Sequence, residues 1–450
     1  MKKTKLIVFD VVGLTKSHLV QMKLSNISRL FENGLVASII PPFPAVTCTV
    51  QATITSGYHA SDHGIISNGF FDRAAKQVSF WEQSAAMVEK PRIWDILKKT
   101  NPKLKTAILF WQNSLYANSD IVITPKPLHL ENQMIMWCYS KPVGYYEEIA
   151  EKIGEFDLKW YWGPFSSIKS SEWIINATLY TIEKEKPDLT LVYMPHLDYA
   201  AQKYGPDSNE FRQSLLEIDK LIGKMLVELE KLYLYSDMEF MLLSEYGFNK
   251  VSNSVSPNII LRDKGFLSTR IIAGKEYIDY EYSKAFAMAD HQIAHIFIKT
   301  GFEDEVKSIL KRTEGIEKIL DKNEKEQYKI NHPKSGELII CAENNTWFNY
   351  YWWNDTKYAP SFTFTVDIHR KPGYDPLELF LDPTTKGISH NTRLIKGSHG
   401  IVKNEVDSLP IFAISTNPSL KNDSFNSTQI APTICKFFGV SNAFPDKPIF

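Results

Sequence analysis

The segment Pro44-Ala45-Val46-Thr47-Cys48-Thr49 is the most informative stretch of this 450-residue chain. Its proline-rich lead-in cannot continue a helix, whereas residues 50–55, VQATIT, can. Thr47 is therefore predicted at the start of a helix, where free backbone N–H groups and the positive end of the helix dipole favour a phosphate. With an aspartate nearby, such a hydroxyl forms part of a phosphoryl-transfer site.

That aspartate follows an apolar run. Residues 6–9, LIVF, are typical of a central parallel strand buried on both faces, and Asp10 stands at the carboxyl end of the run. Amphipathic helical stretches separate it from further runs of the same kind, which lie at residues 106–110, 189–193, 240–243 and 409–415. This alternation predicts an α/β fold, a doubly wound, mainly parallel sheet with helices on both faces.

Ligands of such sheets bind at the carboxyl ends of the strands, so the side chains just after each run are candidate site residues. They include Asp10, Trp111, His196, Asp198 and Glu245. Trp111 and His196 are predicted to contact substrate. Their alternatives are a core tryptophan and a hydrogen-bonded structural histidine.

The composition of the sequence changes near residue 301. A charged helical segment is followed by an aromatic-rich stretch at residues 347–353 and a turn-rich one at 370–376. Residues 301–394 are therefore predicted to form an inserted, substrate-selecting cap. The catalytic core is predicted to comprise residues 1–300 and 395–450.

Composition argues against several classes of partner. A net charge of −1 offers no basic field for a nucleic-acid polymer. Four scattered cysteines suggest neither a disulfide framework nor a thiolate zinc site. The first apolar run is too short to span a bilayer, so a cytoplasmic protein without membrane contact is expected. The oligomeric state stays open.

Four motifs resemble the alkaline phosphatase superfamily, most closely its type I phosphodiesterase/nucleotide pyrophosphatase branch and the related phosphonoacetate hydrolases. The likeness covers essentially the whole chain. The motifs are Thr55-Ser56-Gly57, His63-Gly64-Ile65, residues 193–206, and Gly397-Ser398-His399-Gly400. The resemblance implies an alkaline-phosphatase-like core with the inserted cap.

The resemblance also implies roles for individual residues. Thr47 matches the nucleophile, which also contacts a metal, and Asn68 matches the asparagine that binds the phosphate. Asp10 matches a ligand of one metal, and Asp198 and His399 match ligands of the other. Two divalent metal ions are implied, with zinc as the usual identity.

Three expected ligands are replaced. The histidine expected four residues after Asp198 is Gln202, and the expected aspartate-histidine pair is Glu245-Tyr246. Gln202 and Glu245 are retained as predicted ligands, and the oxygen-rich set allows manganese or magnesium. His291, in Ala289-Asp290-His291-Gln292, is predicted to replace the lost imidazole, with a merely hydrogen-bonded histidine as the alternative.

The predicted function is metal-dependent hydrolysis of phosphodiester bonds in a small phosphorylated substrate, as in nucleotide pyrophosphatases and phosphodiesterases. Thr47 would form a covalent phosphothreonine, and Asn68 would orient the phosphoryl oxygens. One alternative is a phosphomonoester or phosphonate hydrolase with the same site. Another is a degenerate member that binds a phosphorylated ligand without turnover.

Overall fold

The computed structural model describes residues 4–129, 131, 134–232, 234–402, 408–418, 420, 422–441 and 443–450. Within these residues the helices are α1 Lys16–Met22, α2 Ser25–Phe31, α3 Thr47–Ser56, α4 Ala60–His63, α5 Ile93–Thr100, α6 Tyr145–Ile153, α7 Ile168–Glu185, α8 His196–Tyr204, α9 Asn209–Lys231, α10 Pro257–Asp263, α11 Glu303–Lys311, α12 Lys322–Gln327 and α13 Ile430–Phe437. Across the described ranges, no helix has the length and apolarity needed to span a membrane.

The strands of the same residues are β1 Lys5–Val11, β2 Leu35–Ile40, β3 Gly69–Asp72, β4 Gln77–Phe80, β5 Thr106–Leu109, β6 Ile121–Pro125, β7 Leu128–His129, β8 Met134–Ile135, β9 Cys138–Lys141, β10 Leu189–Met194, β11 Met238–Leu243, β12 Asn249–Lys250, β13 Asn253–Val255, β14 Thr269–Ile272, β15 Lys275–Ile278, β16 Ala285–Asp290, β17 Ile293–Ile298, β18 Ile316–Leu320, β19 Leu338–Ala342, β20 Thr346–Phe348, β21 Gly397–Ser398, β22 Ile411–Ile414 and β23 Ser424–Asn426.

A nine-stranded sheet forms the main core, in the order β23-β2-β22-β11-β1-β10-β5-β6-β9. Strand β1 pairs in parallel with both β10 and β11, and only β22 and β9 run antiparallel to their neighbours. The strands β10 and β11 are buried along their whole length because nearly all their residues are apolar. The predicted α/β fold with a mainly parallel sheet is confirmed.

Pairing in this sheet fixes the register of the strand ends. Asp10 lies opposite Tyr193 of β10 and opposite Leu243 of β11. Residues that follow β10 and β11 therefore emerge beside Asp10, at the carboxyl edge of the parallel strands. The helices pack around the sheet in two groups, with α9 against α2, α7 and α8, and α13 against α3 and α5.

A second, four-stranded antiparallel sheet has the order β16-β17-β19-β18. It organises a separate aromatic-rich core that includes Phe286, Phe297 and Trp347. Strands on both sides of residue 301 belong to this sheet, so it crosses the predicted border between core and cap. The division of the chain into domains stays a prediction.

Candidate active site

Thr47 is the first residue of α3, preceded by Val46 in an extended conformation (φ −126°, ψ 150°). Its side chain lines a cavity, and its Oγ1 lies 2.8 Å from the phenol oxygen of Tyr246. The hydroxyl therefore stands where the free N–H groups of the first helical turn would meet an anion. The helix start predicted at Thr47 is found in the structure.

Asp10 and Glu245 face each other beneath this hydroxyl, and both are fully buried. Gln51, one turn after Thr47 on α3, donates from Nε2 to Glu245 Oε1 (2.6 Å) and to Asp10 Oδ2 (3.3 Å). Burial raises the pKa of both carboxyls, and the charge of Asp10 raises that of Glu245 further. Within the described residues, Asp10 Oδ1 and Glu245 Oε2 have no hydrogen-bond partner.

Asp198 and His399 form a second pair. Asp198 lies in the first turn of α8, just after β10, and burial raises its pKa to about 7 against the opposing hydrogen bond from Gln202. The antiparallel pairing of Asn249 with Ser398 brings His399 to the site. Its Nδ1 donates to the carbonyl of Ala45 (2.8 Å), which leaves the Nε2 lone pair 4.0 Å from Asp198 Oδ1.

Neither of those two facing atoms has a hydrogen-bond partner in the described chain. Burial lowers the pKa of His399 well below its usual value, and the neighbouring His291 lowers it further. The imidazole is thereby kept neutral, which is the form that ligates a metal.

Gln202 lies one turn after Asp198, as the sequence predicts, but its amide is already engaged. Its Nε2 donates to Asp198 Oδ2 (2.6 Å), and its Oε1 accepts from the phenol of Tyr374 (2.9 Å). In this arrangement the carbonyl oxygen, the only metal-binding atom of the side chain, faces Tyr374.

His291 occupies the turn between β16 and β17 and has a left-handed backbone (φ 61°). Its Nδ1 donates to Asp290 Oδ1 (2.6 Å). The same carboxylate accepts from the backbone N–H (2.8 Å) and the side-chain Nδ2 (3.1 Å) of Asn68. Asn68 Oδ1 in turn accepts from the backbone N–H of Cys48 (2.9 Å), the residue after Thr47.

Four rings from distant parts of the sequence stack in one column. Tyr246 lies flat on His399 (centroids 3.6 Å apart, planes 8° apart), and His399 contacts His291 at 3.7 Å with a 38° tilt. His291 then stacks on Tyr374 at 3.7 Å. Burial, together with the charges of Asp198 and Glu245, raises the pKa of Tyr246 well above its usual value, so this phenol stays protonated.

The three predicted substrate contacts do not line this cavity. Trp111 is fully buried in the main core, and its neighbours Phe110 and Gln112 line the cavity in its place. His196 pairs with Glu217 (Nε2 to Oε2, 2.8 Å) and does not line the cavity. Asn68 also lies behind the cavity wall, held between Cys48 and Asp290.

The cavity has a volume of about 710 Å³ and reaches outward from Thr47. Aromatic side chains form much of its wall, and the basic side chains of Lys159, Arg370 and Lys386 also border it. The aromatic residues of the wall include Trp81, Phe110, Tyr161, Trp162, Tyr199 and Phe364. Such a wall suits a flat or apolar group attached to a phosphate.

The donor atoms fit divalent cations in two places. Within the described ranges, no three His, Cys, Asp or Glu side chains form a complete metal site. However, two pairs of buried donors, Asp10 with Glu245 and Asp198 with His399, present unpartnered atoms. The first pair, with Thr47, offers only oxygen, which favours a hard cation such as magnesium or manganese.

The sequence did not predict three residues of the site, namely Gln51, Asp290 and Tyr374. Gln51 could have been found, because it lies four residues after Thr47 and so on the same helix face. Asp290 adjoins the predicted His291, but its pairing with Asn68 joins residues 222 positions apart. Tyr374 carries no local signal, because its role depends on packing against His291 and Gln202.

Comparison with known proteins agrees with this geometry. The profile of the family described as type I phosphodiesterase / nucleotide pyrophosphatase matches residues 6–375. An uncharacterized pyrophosphatase/phosphodiesterase of Schizosaccharomyces pombe is 26% identical over 254 residues, which are 56% of this chain and 46% of that protein. Ectonucleotide pyrophosphatase/phosphodiesterase 1 of Saccharomyces cerevisiae is 24% identical over 427 residues, 90% of this chain and 51% of that one. The chain thus spans about half the length of these relatives.

The fold matches solved structures over almost its whole length. Murine ectonucleotide pyrophosphatase/phosphodiesterase 5, solved as an inactive variant in complex with AMP, has a TM-score of 0.63 at 16% identity. The match covers 99% of this chain and 97% of that one. The human form of that protein has a TM-score of 0.63 at 17% identity. The profile match over residues 6–375 shows that the chain belongs to the type I phosphodiesterase/nucleotide pyrophosphatase family.

Proposed function

We propose that this protein hydrolyses phosphodiester or phosphoanhydride bonds of small phosphorylated substrates, with Thr47 as the covalent nucleophile. One observation carries the proposal. The Thr47 hydroxyl lies at the first residue of a helix on the cavity wall, beside two pairs of buried donors. In the part of the chain that the structure describes, each donor has one atom without a hydrogen-bond partner. A hydroxyl without this setting is a weak nucleophile.

The two donor pairs would hold the divalent cations expected of the family. Asp10, Glu245 and Thr47 would bind one, and Asp198 and His399 would bind the other, with Gln202 beside them. Bound there, the cations would neutralise phosphoryl oxygens and favour the alkoxide form of Thr47. Zinc follows from the family resemblance, whereas the oxygen-rich first set supports manganese or magnesium.

The protein's own groups position the reacting atoms. The N-terminus of α3 presents backbone N–H groups and a positive dipole end to the phosphoryl group. Asn68 accepts a hydrogen bond from the backbone N–H of Cys48 in the first turn of that helix, and in our proposal this contact supports Thr47. The contact of Asn68 with phosphate stays a prediction. Gln51 holds Asp10 and Glu245 in place from the same helix.

The cavity supports a nucleotide-like substrate. Its aromatic wall suits a base, and its basic border suits further phosphate or carboxylate groups. The murine structural relative was solved with AMP. We therefore propose substrates of nucleotide size.

Thr47→Ala tests the proposal. With bis(p-nitrophenyl) phosphate and manganese, magnesium or zinc, we expect turnover to fall by a factor of about a thousand or more, because the nucleophile is lost. Acid-quenched wild type should carry a phosphoryl adduct on Thr47 by intact-mass analysis. Thr49→Ala is the matched control, since it removes a buried threonine hydroxyl from the same helix outside the cavity. Undiminished turnover by Thr47→Ala would overturn the covalent mechanism.

Two alternatives remain separable by experiment. A phosphomonoester or phosphonate hydrolase would use the same residues, and it would turn over p-nitrophenyl phosphate faster than the diester. A non-hydrolytic binder is favoured by one observation, the engagement of Gln202 by Tyr374 together with the protonated Tyr246. Such a protein would bind AMP in calorimetry yet release no product from any of these esters.

A further inference from the structure

Gln112 is a polar side chain of the cavity wall, just after strand β5. The sequence predicts a substrate contact at the end of this strand, at Trp111, but the structure buries Trp111 and turns Gln112 to the cavity. The backbone N–H of Gln112 donates to Gln51 Oε1 (2.7 Å). Gln51 Nε2 in turn donates to Glu245 and Asp10. Gln112 is therefore joined, through one side chain, to two carboxylates of the site.

Gln83 fixes the orientation of the Gln112 amide. Its own amide is held by backbone groups, because Nε2 donates to the carbonyl of Trp81 (3.1 Å) and Oε1 accepts from the N–H of Asn113 (3.2 Å). A backbone carbonyl only accepts and a backbone N–H only donates, so the two atoms of the Gln83 amide cannot exchange places. The Nε2 of Gln83 also donates to Gln112 Oε1 (2.7 Å). The oxygen of Gln112 is thereby engaged, and its NH2 group is left for another partner.

The NH2 group of Gln112 is an incompletely used donor beside aromatic rings. Within the described residues, its acceptor is the phenol oxygen of Tyr161, at the long distance of 3.4 Å. An amide NH2 carries two hydrogens, so one of them is available to a bound molecule. Tyr161 and Phe110, whose ring centroids are 5.6 Å apart, both belong to the aromatic cavity wall. The donor thus lies at the side of a surface on which a flat group would pack.

The surroundings of this donor are held in place by protein contacts. The carbonyl of Tyr161 accepts a hydrogen bond from the phenol of Tyr199, and the Tyr161 ring packs against Phe156 with centroids 5.9 Å apart. The Gln112 amide is held by Gln83 on its other side. A donor that is ordered before binding loses little conformational entropy when a ligand reaches it.

The chemistry of Gln112 differs from that of the other polar side chains near the mouth of the cavity. Lys159, Arg370 and Lys386 are exposed cations, which suit anionic groups. Gln112 is uncharged and only 7% exposed, and its oxygen is occupied. It offers a neutral N–H donor, whose natural partner is a carbonyl oxygen or a ring nitrogen. Leaving such a buried donor without a partner in a complex costs binding free energy, so the site favours ligands that carry an acceptor.

We propose that Gln112 is a specificity-determining residue, which donates from Nε2 to an acceptor at the edge of a flat group carried by the substrate. This inference rests on the proposed function, because it concerns the group attached to the reacting phosphate. The substrate class is a phosphodiester or phosphoanhydride of a nucleoside whose base presents a carbonyl oxygen or ring nitrogen. A plain phenyl ester packs on the same wall but forfeits the hydrogen bond. Gln83 is a positioning residue, because it acts through Gln112.

Gln112→Met tests the proposal with two substrates that share the p-nitrophenyl leaving group. p-Nitrophenyl thymidine 5′-phosphate carries a base with carbonyl oxygens, whereas p-nitrophenyl phenylphosphonate carries a phenyl ring with no acceptor. Methionine keeps the length of the side chain and removes the donor. In the presence of manganese, the ratio of kcat/KM for the thymidine ester to that for the phenylphosphonate should fall about tenfold, as expected for one neutral hydrogen bond. The loss should appear as a higher KM for the thymidine ester, because the contact is already made in the bound substrate.

Gln77→Met is the matched control, because Gln77 is exposed on strand β4 and lies outside the cavity. It should keep the wild-type ratio. Gln83→Met is a second test, which leaves Gln112 in the chain but frees its oxygen, so that the amide can turn over. It should lower the same ratio by a smaller factor. This variant tests the same contact if Gln112→Met does not fold.

The outcomes separate this inference from the proposed function. If Gln112→Met lowers kcat/KM equally for both substrates, its donor serves the phosphoryl group that they share, and the specificity role is wrong. A wild-type ratio in Gln112→Met, or in Gln83→Met where only that variant folds, also overturns the inference. In both cases Thr47→Ala would still abolish turnover, so the proposed function would stand. If Thr47→Ala keeps full turnover of both substrates, the proposed function fails.

Discussion

The phenol oxygen of Tyr246 lies 2.8 Å from Oγ1 of Thr47, while its ring lies flat on His399. The family resemblance implies an imidazole at this position. Here a neutral hydroxyl takes its place, and the stack leaves that hydroxyl little freedom to turn away. Thr47 thus lies beside a fixed hydrogen-bonding phenol instead of an imidazole that could bind a metal.

Tyr246→Phe should lower kcat by roughly a factor of ten and leave the melting temperature nearly unchanged. One hydrogen bond contributes about 1 kcal/mol, and without it the Thr47 hydroxyl rotates away from its reactive orientation. Steady-state kinetics and calorimetry would measure both effects. Tyr145→Phe is the control, since it removes a buried phenol bonded to the hydroxyl of Thr181, far from the cavity lining. Equal losses of kcat in both variants would show that the hydrogen bond to Thr47 does not account for the effect of Tyr246→Phe.

Gln202→His should raise the affinity for zinc by about tenfold or more. The substitution places an imidazole one helical turn after Asp198 and removes the amide that now engages Tyr374. Competition with a chromogenic chelator would report the affinity. Gln213→His, on the exposed face of α9, controls for an added surface histidine. Unchanged zinc affinity would place the second cation away from Asp198.

Lys371→Met should destabilise the protein by about 3–5 kcal/mol in urea unfolding. The Lys371 ammonium is buried between Asp375 (2.8 Å) and Glu378 (2.6 Å), so its removal leaves two carboxylates without a counter-charge. Glu378 also accepts from the indole of Trp162, hence that cavity wall should loosen and KM should rise. Lys357→Met, which breaks an exposed pair with Asp355, is the control and should leave the unfolding curve almost unchanged, because solvent screens that pair.

Stability should fall as the pH drops below about 6.5, partly because two histidines are buried in neutral form. Burial lowers the pKa of His63 to about 3 and that of His295 to about 4. Below the unfolded pKa of ~6.5, the unfolded chain binds these protons first, so each ring costs about 1.4 kcal/mol per pH unit until its folded pKa is reached.

His295→Gln isolates one of these contributions. The neutral His295 donates to Ile66 and accepts from the N–H of Gly336, so a second ring proton would oppose that donor. Between pH 7 and pH 5, the variant should lose about 2 kcal/mol less unfolding free energy than wild type. An identical pH slope in both proteins would exclude this histidine as a source of acid sensitivity.

The main sheet was predictable because its central strands are continuous apolar runs. The runs at residues 6–9, 189–193 and 240–243 fall within β1, β10 and β11. Strand β2 was not predicted, because its place between β22 and β23 depends on tertiary contact.

The sequence predicted the site residues whose position follows from the end of a single strand or the start of a single helix. Asp10, Thr47, Asp198 and Glu245 owe their proximity to strand register and to the start of α3. Side-chain direction was not predictable. Whether Gln202 turns its oxygen to a metal or to Tyr374 depends on a loop 172 positions away.

The column of rings has a consequence for how the protein is assembled. Its members come from the end of β11, the residue after β21, the turn after β16 and the segment before residue 376, which belong to both hydrophobic cores. Neither hydrophobic core alone supplies all four rings of the column. The chemistry proposed at Thr47 therefore requires the two hydrophobic cores to be packed together. We expect mild denaturation that separates these cores to abolish turnover while most helices and strands persist.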